Sequence, residues 1–117
     1  MERKIVLGLT ERITLRGPKK SISVIARIDT GATTSSLDTE LAQRLNLEPT
    51  SHTRIVRSAH GVRKRPLLKA HLQLQGQSLE ADFTLADRKH LKYPVLIGQN
   101  ILKKGNFLID PQQSVHS

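Results

Sequence analysis

The sequence predicts a mainly β protein of a single domain. Apolar and polar residues alternate at residues 22–28, 68–74 and 79–85, and a period of two is typical of half-buried strands. The length of 117 residues suits one domain and leaves little chain for a second lobe. We expect a single domain over residues 1–117, with a core at about 4–111 and a flexible tail at 112–117.

Turn-forming residues separate the predicted strands. Residues 17–20, Gly-Pro-Lys-Lys, divide a strand region at 4–16 from one at 21–28. Residues 75–78, Gln-Gly-Gln-Ser, predict a hairpin turn between the two later alternating runs.

The remaining chain adds shorter elements. The polar stretch at residues 51–61 is expected to be irregular, with a turn tip at 59–61. Apolar residues at 94–97 predict a buried strand, and another strand is expected at 106–110. The total is about six or seven strands.

Two segments predict helix. Three leucines spaced four apart within residues 36–46 form one apolar stripe, which indicates a helix of about three turns. Ser36 or Asp38 would cap its start, and Asn46 would end it. A single helical turn is expected at residues 99–104.

Composition limits the function classes. The net charge of +9 favours an acidic partner such as nucleic acid, a ribosomal surface or an acidic peptide, although a merely solvated basic surface is equally open. Two Phe, one Tyr and no Trp disfavour binding of single strands by base stacking. The absence of Cys excludes a disulfide scaffold, a thiol nucleophile and a Cys-based metal site. Without a long apolar run, we expect a cytoplasmic protein with no membrane partner.

One tripeptide, Asp29-Thr30-Gly31, carries candidate chemistry. It follows an apolar strand, so the Asp29 carboxylate is expected at the floor of a cleft. The Thr30 hydroxyl can hydrogen-bond beneath it, and Gly31 allows a tight turn that brings its N–H close to the acid. Ser35 and Ser36 could donate further hydrogen bonds. The alternative is a strand-ending turn in which Asp29 bonds its own backbone.

A second segment, at residues 94–102, is also of interest beside the Asp-Thr-Gly tripeptide. Residues 94–102 run apolar, then Gly98, then a polar pair, then apolar again, which predicts a buried strand leading into a helical turn. Gly98 would allow close approach to another backbone.

These two elements resemble the retropepsin-like aspartic proteases. The matching residues are Ile-Asp-Thr-Gly-Ala at 28–32 and Leu-Ile-Gly at 96–98. The resemblance implies a closed β-barrel lobe, with a short helix after the Asp-Thr-Gly loop and a helical turn after Gly98. It assigns catalysis to Asp29, Thr30 and Gly31, and active-site support to Ala32, Ser35, Ser36 and Gly98.

Within that clan, five short segments are similar to a family labelled ATP-dependent zinc proteases. Its members are often encoded beside, or fused to, ATP-grasp ligases that add glutamates to a ribosomal protein. The segments are residues 27–32, 65–66, 85–88, 93–98 and 110–111.

The residues of this chain do not favour the zinc binding and ATP dependence that the family label implies. The chain has no phosphate-cradling G-x-x-x-x-G-K-[ST] loop and no H-E-x-x-H pattern among its five His residues. A site built from His52, His60 and a carboxylate stays open but is disfavoured. We therefore expect neither a metal nor a cofactor.

A single Asp-Thr-Gly raises the question of the second carboxylate that aspartic proteolysis needs. Asp87 and Asp110 are poor candidates, because Arg88 follows the first and a proline follows the second. A two-fold homodimer would supply Asp29 twice. The pair Asp87-Arg88 is expected to be structural rather than substrate-binding.

Residues 59–61 could form a flap over the cleft, with His60 and Gly61 at its tip, although an ordinary hairpin tip is equally open. Arg63 and Arg65 beside it could grip an acidic peptide, the alternative being a solvated strand face. Gln99 stands where an Arg or Lys often follows the Gly in the resembling enzymes, so the ion pair usual at that turn is in doubt.

The favoured hypothesis is a homodimeric aspartic peptidase that acts on a peptide or protein, with an acidic or glutamate-tailed protein as the expected substrate. The alternative is a non-catalytic module of the same fold that binds RNA, the ribosome or an acidic partner. A metallohydrolase is a third and weaker hypothesis.

Overall fold

The structure, a computed structural model, describes residues 3–59 and 61–113. This part of the chain forms nine strands and two short helices. In chain order they are β1 (Ile5–Leu7), β2 (Thr10–Arg16), β3 (Ser21–Ile28), β4 (Ser35–Asp38), α1 (Thr39–Arg44), β5 (Thr53–Ser58), β6 (Gly61–Leu74), β7 (Gln77–Ala86), β8 (Val95–Ile97), α2 (Gln99–Lys104) and β9 (Phe107–Ile109).

Six of the strands form a closed barrel. Neighbouring strands are hydrogen-bonded in the order β2, β3, β8, β4, β7 and β6, and an antiparallel pairing of β2 with β6 closes the ring. Alternate residues of the strands fill its interior, among them the fully buried Phe83, Leu72 and Ile97. The predicted fold class, a mainly β closed barrel with two short helical elements, is confirmed.

Three strands lie outside the barrel. β5 pairs with the first half of β6 and forms a hairpin that extends beyond the ring. β1 and β9 form a separate two-stranded parallel sheet. The strand region predicted at residues 4–16 is divided at Gly8, where a Cβ atom would lie 2.5 Å from the carbonyl oxygen of Gln113.

The helix predicted over residues 36–46 is wrong in its first part. Those residues belong to β4, which pairs with β7 on one side and β8 on the other, and Leu37 is fully buried between them. The helix α1 begins only after Asp38, whose carboxylate accepts a hydrogen bond from the Leu41 N–H at 3.3 Å. Asp38 is thus the cap, and Ser36 is not. Asn46, at φ 56°, follows the helix end in the left-handed conformation.

The turns predicted at residues 17–20 and 75–78 are confirmed, whereas the irregular loop predicted at residues 51–61 is wrong in part. The hairpin between β6 and β7 has a two-residue loop of Gln75 and Gly76, both at positive φ, which matches the twist of the strands. The stretch at residues 51–61 was expected to be irregular, and this is wrong for β5, whose Thr, Ile and Val residues suit a strand. The helical turn at residues 99–104 is confirmed as α2.

The end of the described chain lies against β1. The Gln112 N–H donates to Asp110 Oδ1 at 3.0 Å, and Gln113 Nε2 donates to the Val6 carbonyl at 2.9 Å. The rest of the predicted tail, residues 114–117, lies outside the described residues. No helix in the described ranges is long and apolar enough to span a bilayer.

One buried carboxylate joins two parts of the barrel. Glu11 is fully buried at the start of β2. Its Oε2 accepts the Gly8 N–H at 2.7 Å, and its Oε1 accepts a hydrogen bond from Gln75 Nε2 at 2.8 Å. The side chain therefore ties the turn before β2 to the loop between β6 and β7.

Replacement of Glu11 by Ala is expected to lower the free energy of unfolding by about 1–3 kcal/mol, because the buried Gly8 N–H loses its partner. The matched control, Glu40→Ala, removes an exposed carboxylate in α1 and should change the value by less than about 0.5 kcal/mol. Urea denaturation of the two variants measures the difference. Equal effects would contradict the structural role of Glu11.

Candidate active site

The candidate catalytic loop joins β3 to β4. Its first residue, Asp29, is half-buried, and its N–H donates to the Ile97 carbonyl of β8 at 2.8 Å. The Asp29 Oδ1 atom accepts the Gly31 N–H at 2.9 Å, and the Ala32 N–H donates to the Asp29 carbonyl at 3.3 Å. The carboxylate is therefore fixed by its own loop. Thr30 and Gly31 are exposed at the surface of this chain.

Gly98 lets the start of α2 approach this loop. A Cβ atom at position 98 would lie 2.3 Å from the Thr34 carbonyl oxygen and 2.8 Å from that of Ala32. No side chain fits in that space, so the glycine is required by packing rather than by its backbone angles.

A buried hydroxyl connects the two segments. Ser35 Oγ accepts the Gly98 N–H at 2.9 Å and donates to Asn100 Oδ1 at 2.7 Å. Asn100 Nδ2 in turn donates to the Asp82 carbonyl of β7 at 2.9 Å. Among residues 3–59 and 61–113, the hydroxyl of Ser36 has no hydrogen-bond partner, so the contact with Gly98 is made by Ser35 and not by Ser36.

Gln99 holds the loop on both sides of Gly31. Its backbone N–H donates to the Ala32 carbonyl at 2.7 Å, and its Nε2 donates to the Thr30 carbonyl at 2.8 Å. The uncharged side chain of Gln99 thus contacts the loop backbone, at the position where the resembling enzymes often have an Arg or Lys that forms an ion pair. The sequence analysis did not assign this role to Gln99 or the bridging role to Asn100.

Across from the loop stands the hairpin of β5 and β6, which we call the flap. A cleft of about 380 Å³ lies between them, lined by Thr33 and Thr34 of the loop and by residues 54–57 of β5. Arg54, Thr33 and Thr34 also line an adjoining cleft of about 130 Å³. The predicted tip residue His60 lies outside the described residues, and Gly61 is exposed at φ 117°.

Register assigns the flap side chains to two faces. Arg54 is opposite Arg65, and Val56 is opposite Arg63. Directly opposite residues share a face, as do residues two apart along a strand, so these four lie together. Val56 is half-buried whereas its neighbour Ile55 is exposed, so this four-residue face is the more covered of the two.

The inner flap face is therefore rich in arginine. It carries the predicted Arg63 and Arg65, and also Arg54, which the sequence analysis missed because β5 was expected to be irregular. The β-branched Thr, Ile and Val of the segment Thr-Arg-Ile-Val-Arg were the available signal for a strand there.

Arg88 has a structural role, but its partner is not Asp87. The Arg88 N–H donates to Asp38 Oδ1 at 2.8 Å, and its Nε donates to the Tyr93 carbonyl at 3.0 Å. Burial lowers the pKa of the Arg88 guanidinium below its usual value, the Asp38 carboxylate partly offsets this, and Arg65 adds to the lowering. Asp87 instead accepts the N–H of the residue two positions later, at 3.1 Å.

Within the described ranges, no three His, Asp or Glu side chains converge to hold a metal ion. The predicted site residues that do converge lie on the loop and at the start of α2. They are Asp29, Thr30, Gly31, Ala32, Ser35 and Gly98.

Solved structures with this fold come from bacteria and retroviruses. A Legionella pneumophila protein of unknown function, Lpg0085, is 22% identical and matches with a TM-score of 0.67 over 94% of this chain and 95% of its own. EIAV protease bound to an inhibitor is 19% identical, with a TM-score of 0.64 over 81% of this chain and 85% of its own. The simian foamy virus protease is 18% identical, with a TM-score of 0.54 over 74% and 84%. At these identities the likeness concerns the fold.

A family model described as RimB-like, retropepsin-like aspartic endopeptidase RimB, matches residues 38–116, which is more than half of the chain. The match begins after the Asp29-Thr30-Gly31 tripeptide. No curated protein matches the chain.

Replacement of Ser35 by Ala is expected to lower the free energy of unfolding by about 1–3 kcal/mol, because the buried Gly98 N–H loses its acceptor. The neighbouring variant Ser36→Ala should cost less than about 0.5 kcal/mol. Chemical denaturation followed by circular dichroism compares the two. A larger loss for Ser36 than for Ser35 would refute the assignment.

Proposed function

The chain belongs to the RimB-like family of retropepsin-like aspartic endopeptidases, and from this premise we propose that it is an aspartic peptidase that works as a homodimer. One observation carries the proposal. Asp29 is fixed after a barrel strand by the Gly31 N–H, at the start of a loop whose Thr33 and Thr34 face the flap across a cleft.

The second carboxylate is expected to come from another copy of the chain. Three other acids of this chain are engaged in bonds of their own: Asp38 caps α1 and accepts the Arg88 N–H, while Asp87 and Asp110 each accept an N–H of their own turn. A two-fold axis beside the exposed Thr30 and Gly31 would bring two Asp29 side chains together.

The chemistry then follows from two carboxyl groups that share one proton. Like charges about 3 Å apart cannot both ionise, so one group stays protonated. The ionised carboxylate takes a proton from a water, whose oxygen attacks the carbonyl carbon of the peptide bond. The protonated carboxyl group donates a hydrogen bond to the carbonyl oxygen. Transfer of a proton to the amide nitrogen lets the C–N bond break.

An acidic peptide is the substrate class that the cleft suits best. Arg54 and Arg57 of the flap line the cleft, Arg63 and Arg65 lie opposite Val56 and Arg54 in the flap, and the loop across the cleft presents the uncharged Thr33 and Thr34. Guanidinium groups bind carboxylates through paired, charge-assisted hydrogen bonds. The net charge of +9 would also attract an acidic chain from a distance. A glutamate-tailed protein is one such substrate.

The same charge supports a second candidate function, a non-catalytic module that binds RNA, the ribosome or an acidic partner. In that case Asp29 would not be needed. The two candidates therefore differ in what a conservative change at Asp29 does.

Replacement of Asp29 by Asn is expected to reduce cleavage of glutamate-rich fluorogenic peptides at least about 100-fold, because general acid–base catalysis contributes that much or more. The melting temperature should stay close to that of wild type. Asp87→Asn, which changes an exposed acid outside the cleft, serves as the control. Cleavage by the Asp29 variant at the wild-type rate would exclude the aspartic mechanism, and RNA binding unaffected by it would favour the alternative.

Replacement of Arg54 by Gln is expected to raise KM for glutamate-rich peptides about threefold to fivefold, because an exposed ion pair contributes up to about 1 kcal/mol. Higher salt should raise KM as well, since exposed charges are screened. The control Arg12→Gln removes an equal charge on β2, away from the cleft. The same KM for both variants would contradict a specific role of Arg54.

A further inference from the structure

The outer wall of the barrel carries a small polar cavity that the proposed function does not use. Its volume is about 40 Å³, and it lies where β2, β6 and β7 run side by side. The polar side chains that line it belong to Thr14, Arg16, His71, Gln73 and Ser78. None of them is acidic, and hydroxyl, amide and guanidinium groups all donate hydrogen bonds. The cavity therefore suits an anion no larger than a phosphate group.

Strand register places these side chains in two adjacent rows. Thr14 of β2 is opposite Gln73 of β6, which is opposite Ser78 of β7. In the next row, Arg16 is opposite His71. Directly opposite residues share a face with their Cβ atoms about 5 Å apart. Donors from three strands thus surround one cavity.

One carboxylate, that of Glu80, lies next to this group. Its Oε2 is 2.9 Å from His71 Nε2, and its Oε1 is 3.9 Å from Lys69 Nζ. These are the two ion pairs in the described part of the chain, so Glu80 is engaged by His71 and Lys69, while Arg16 has no acidic partner there. A guanidinium group beside a cavity lined by donors is thus free to bind an added anion.

The positive charge extends from the cavity into the turn between β2 and β3. Lys19 and Lys20 are exposed in this turn, and residues 12–28 include no Asp or Glu. The turn is fixed, because the Gly17 N–H donates to the Lys20 carbonyl at 2.8 Å and a side chain on Gly17 would clash with the backbone that follows α1. We call Arg16, Lys19, Lys20 and the cavity residues the β2-turn cluster.

The composition of the β2-turn cluster indicates which kind of anion it binds. It contains no aromatic residue, and the large apolar side chains that are exposed on the described chain all lie elsewhere. A protein partner or a membrane buries apolar groups as well as charge, and single-stranded nucleic acid stacks its bases on aromatic rings. The backbone of an RNA duplex is bound by cations and by hydroxyl or amide donors alone, and the cluster provides these groups.

We propose that the β2-turn cluster binds the phosphate backbone of duplex RNA, with one phosphate group in the cavity and its neighbours on Lys19 and Lys20. The inference goes beyond the proposed function and does not depend on it. The start of β3 is paired with Arg16, and Asp29 follows its end. Eight residues at about 3.3 Å each separate the two by about 26 Å. A chain held on RNA in this way keeps its cleft open.

The test is fluorescence anisotropy of the full chain with a labelled RNA duplex over a range of salt concentrations. Arg16→Gln should weaken binding about fivefold or more and lower the slope of log Kd against log salt by about one, because one phosphate contact is lost. Thr14→Val removes a hydroxyl but no charge, so it should weaken binding about threefold at an unchanged slope. The control, Lys89→Gln, removes an exposed cation in the loop after β7 and should bind nearly as wild type does.

The proposal is overturned if the wild type binds no duplex, if Arg16→Gln and Lys89→Gln have equal effects, or if Thr14→Val binds as wild type does. Poly-glutamate and phosphatidylserine vesicles should bind the wild type and Thr14→Val equally. A loss as large as that for RNA would instead make an acidic peptide or a lipid surface the ligand. Inorganic phosphate at the concentration of the RNA phosphates should not displace the duplex, and displacement would make free phosphate the ligand. These measurements do not involve Asp29, so they decide the inference under either candidate function.

Discussion

The candidate site depends on the close approach of the Gly98 backbone to the loop that follows Asp29. No side chain fits at position 98, and this allows the Ser35 hydroxyl to accept the Gly98 N–H. Because Ser35 begins β4 and Gly98 follows β8, the contact also positions α2, whose first residue Gln99 then holds the loop. The place of the carboxylate therefore follows from backbone packing in a closed barrel, and the polar partners of its loop are uncharged.

The arginines of the flap are separate from the residues that pack the loop after Asp29 against Gly98. Arg54 and Arg57 line the flap side of the cleft, whereas Thr33 and Thr34 of the loop after Asp29 line the other side. In the proposed function, attraction of a substrate and orientation of the carboxylate would thus draw on different residues. Arg88 serves the frame instead, because its backbone N–H bonds Asp38 at the start of α1 and its guanidinium Nε bonds the Tyr93 carbonyl in the segment before β8.

Much of the fold could be predicted from the alternation of apolar residues, since that pattern reports directly on which side of a strand is buried. The packing requirement at Gly98 could be anticipated in the same way, from an apolar run broken by glycine. β4 could not, because leucines four residues apart fit a helix, and only pairing with β7 and β8 makes Leu37 part of a sheet. Arg54 was missed for a similar reason: its role depends on a register with Arg65 that no local pattern reveals.

The flap strand β5 has a further consequence for the behaviour of the molecule in a crowded solution. It lies at the end of the seven-stranded sheet, so one row of its backbone groups is open to other chains. Exposed edges of this kind seed sheet-to-sheet aggregation unless charged side chains guard them, and Arg54 and Arg57 provide that charge here. The flap arginines that we propose to bind an acidic peptide therefore also supply the charge that guards this edge against pairing with other chains.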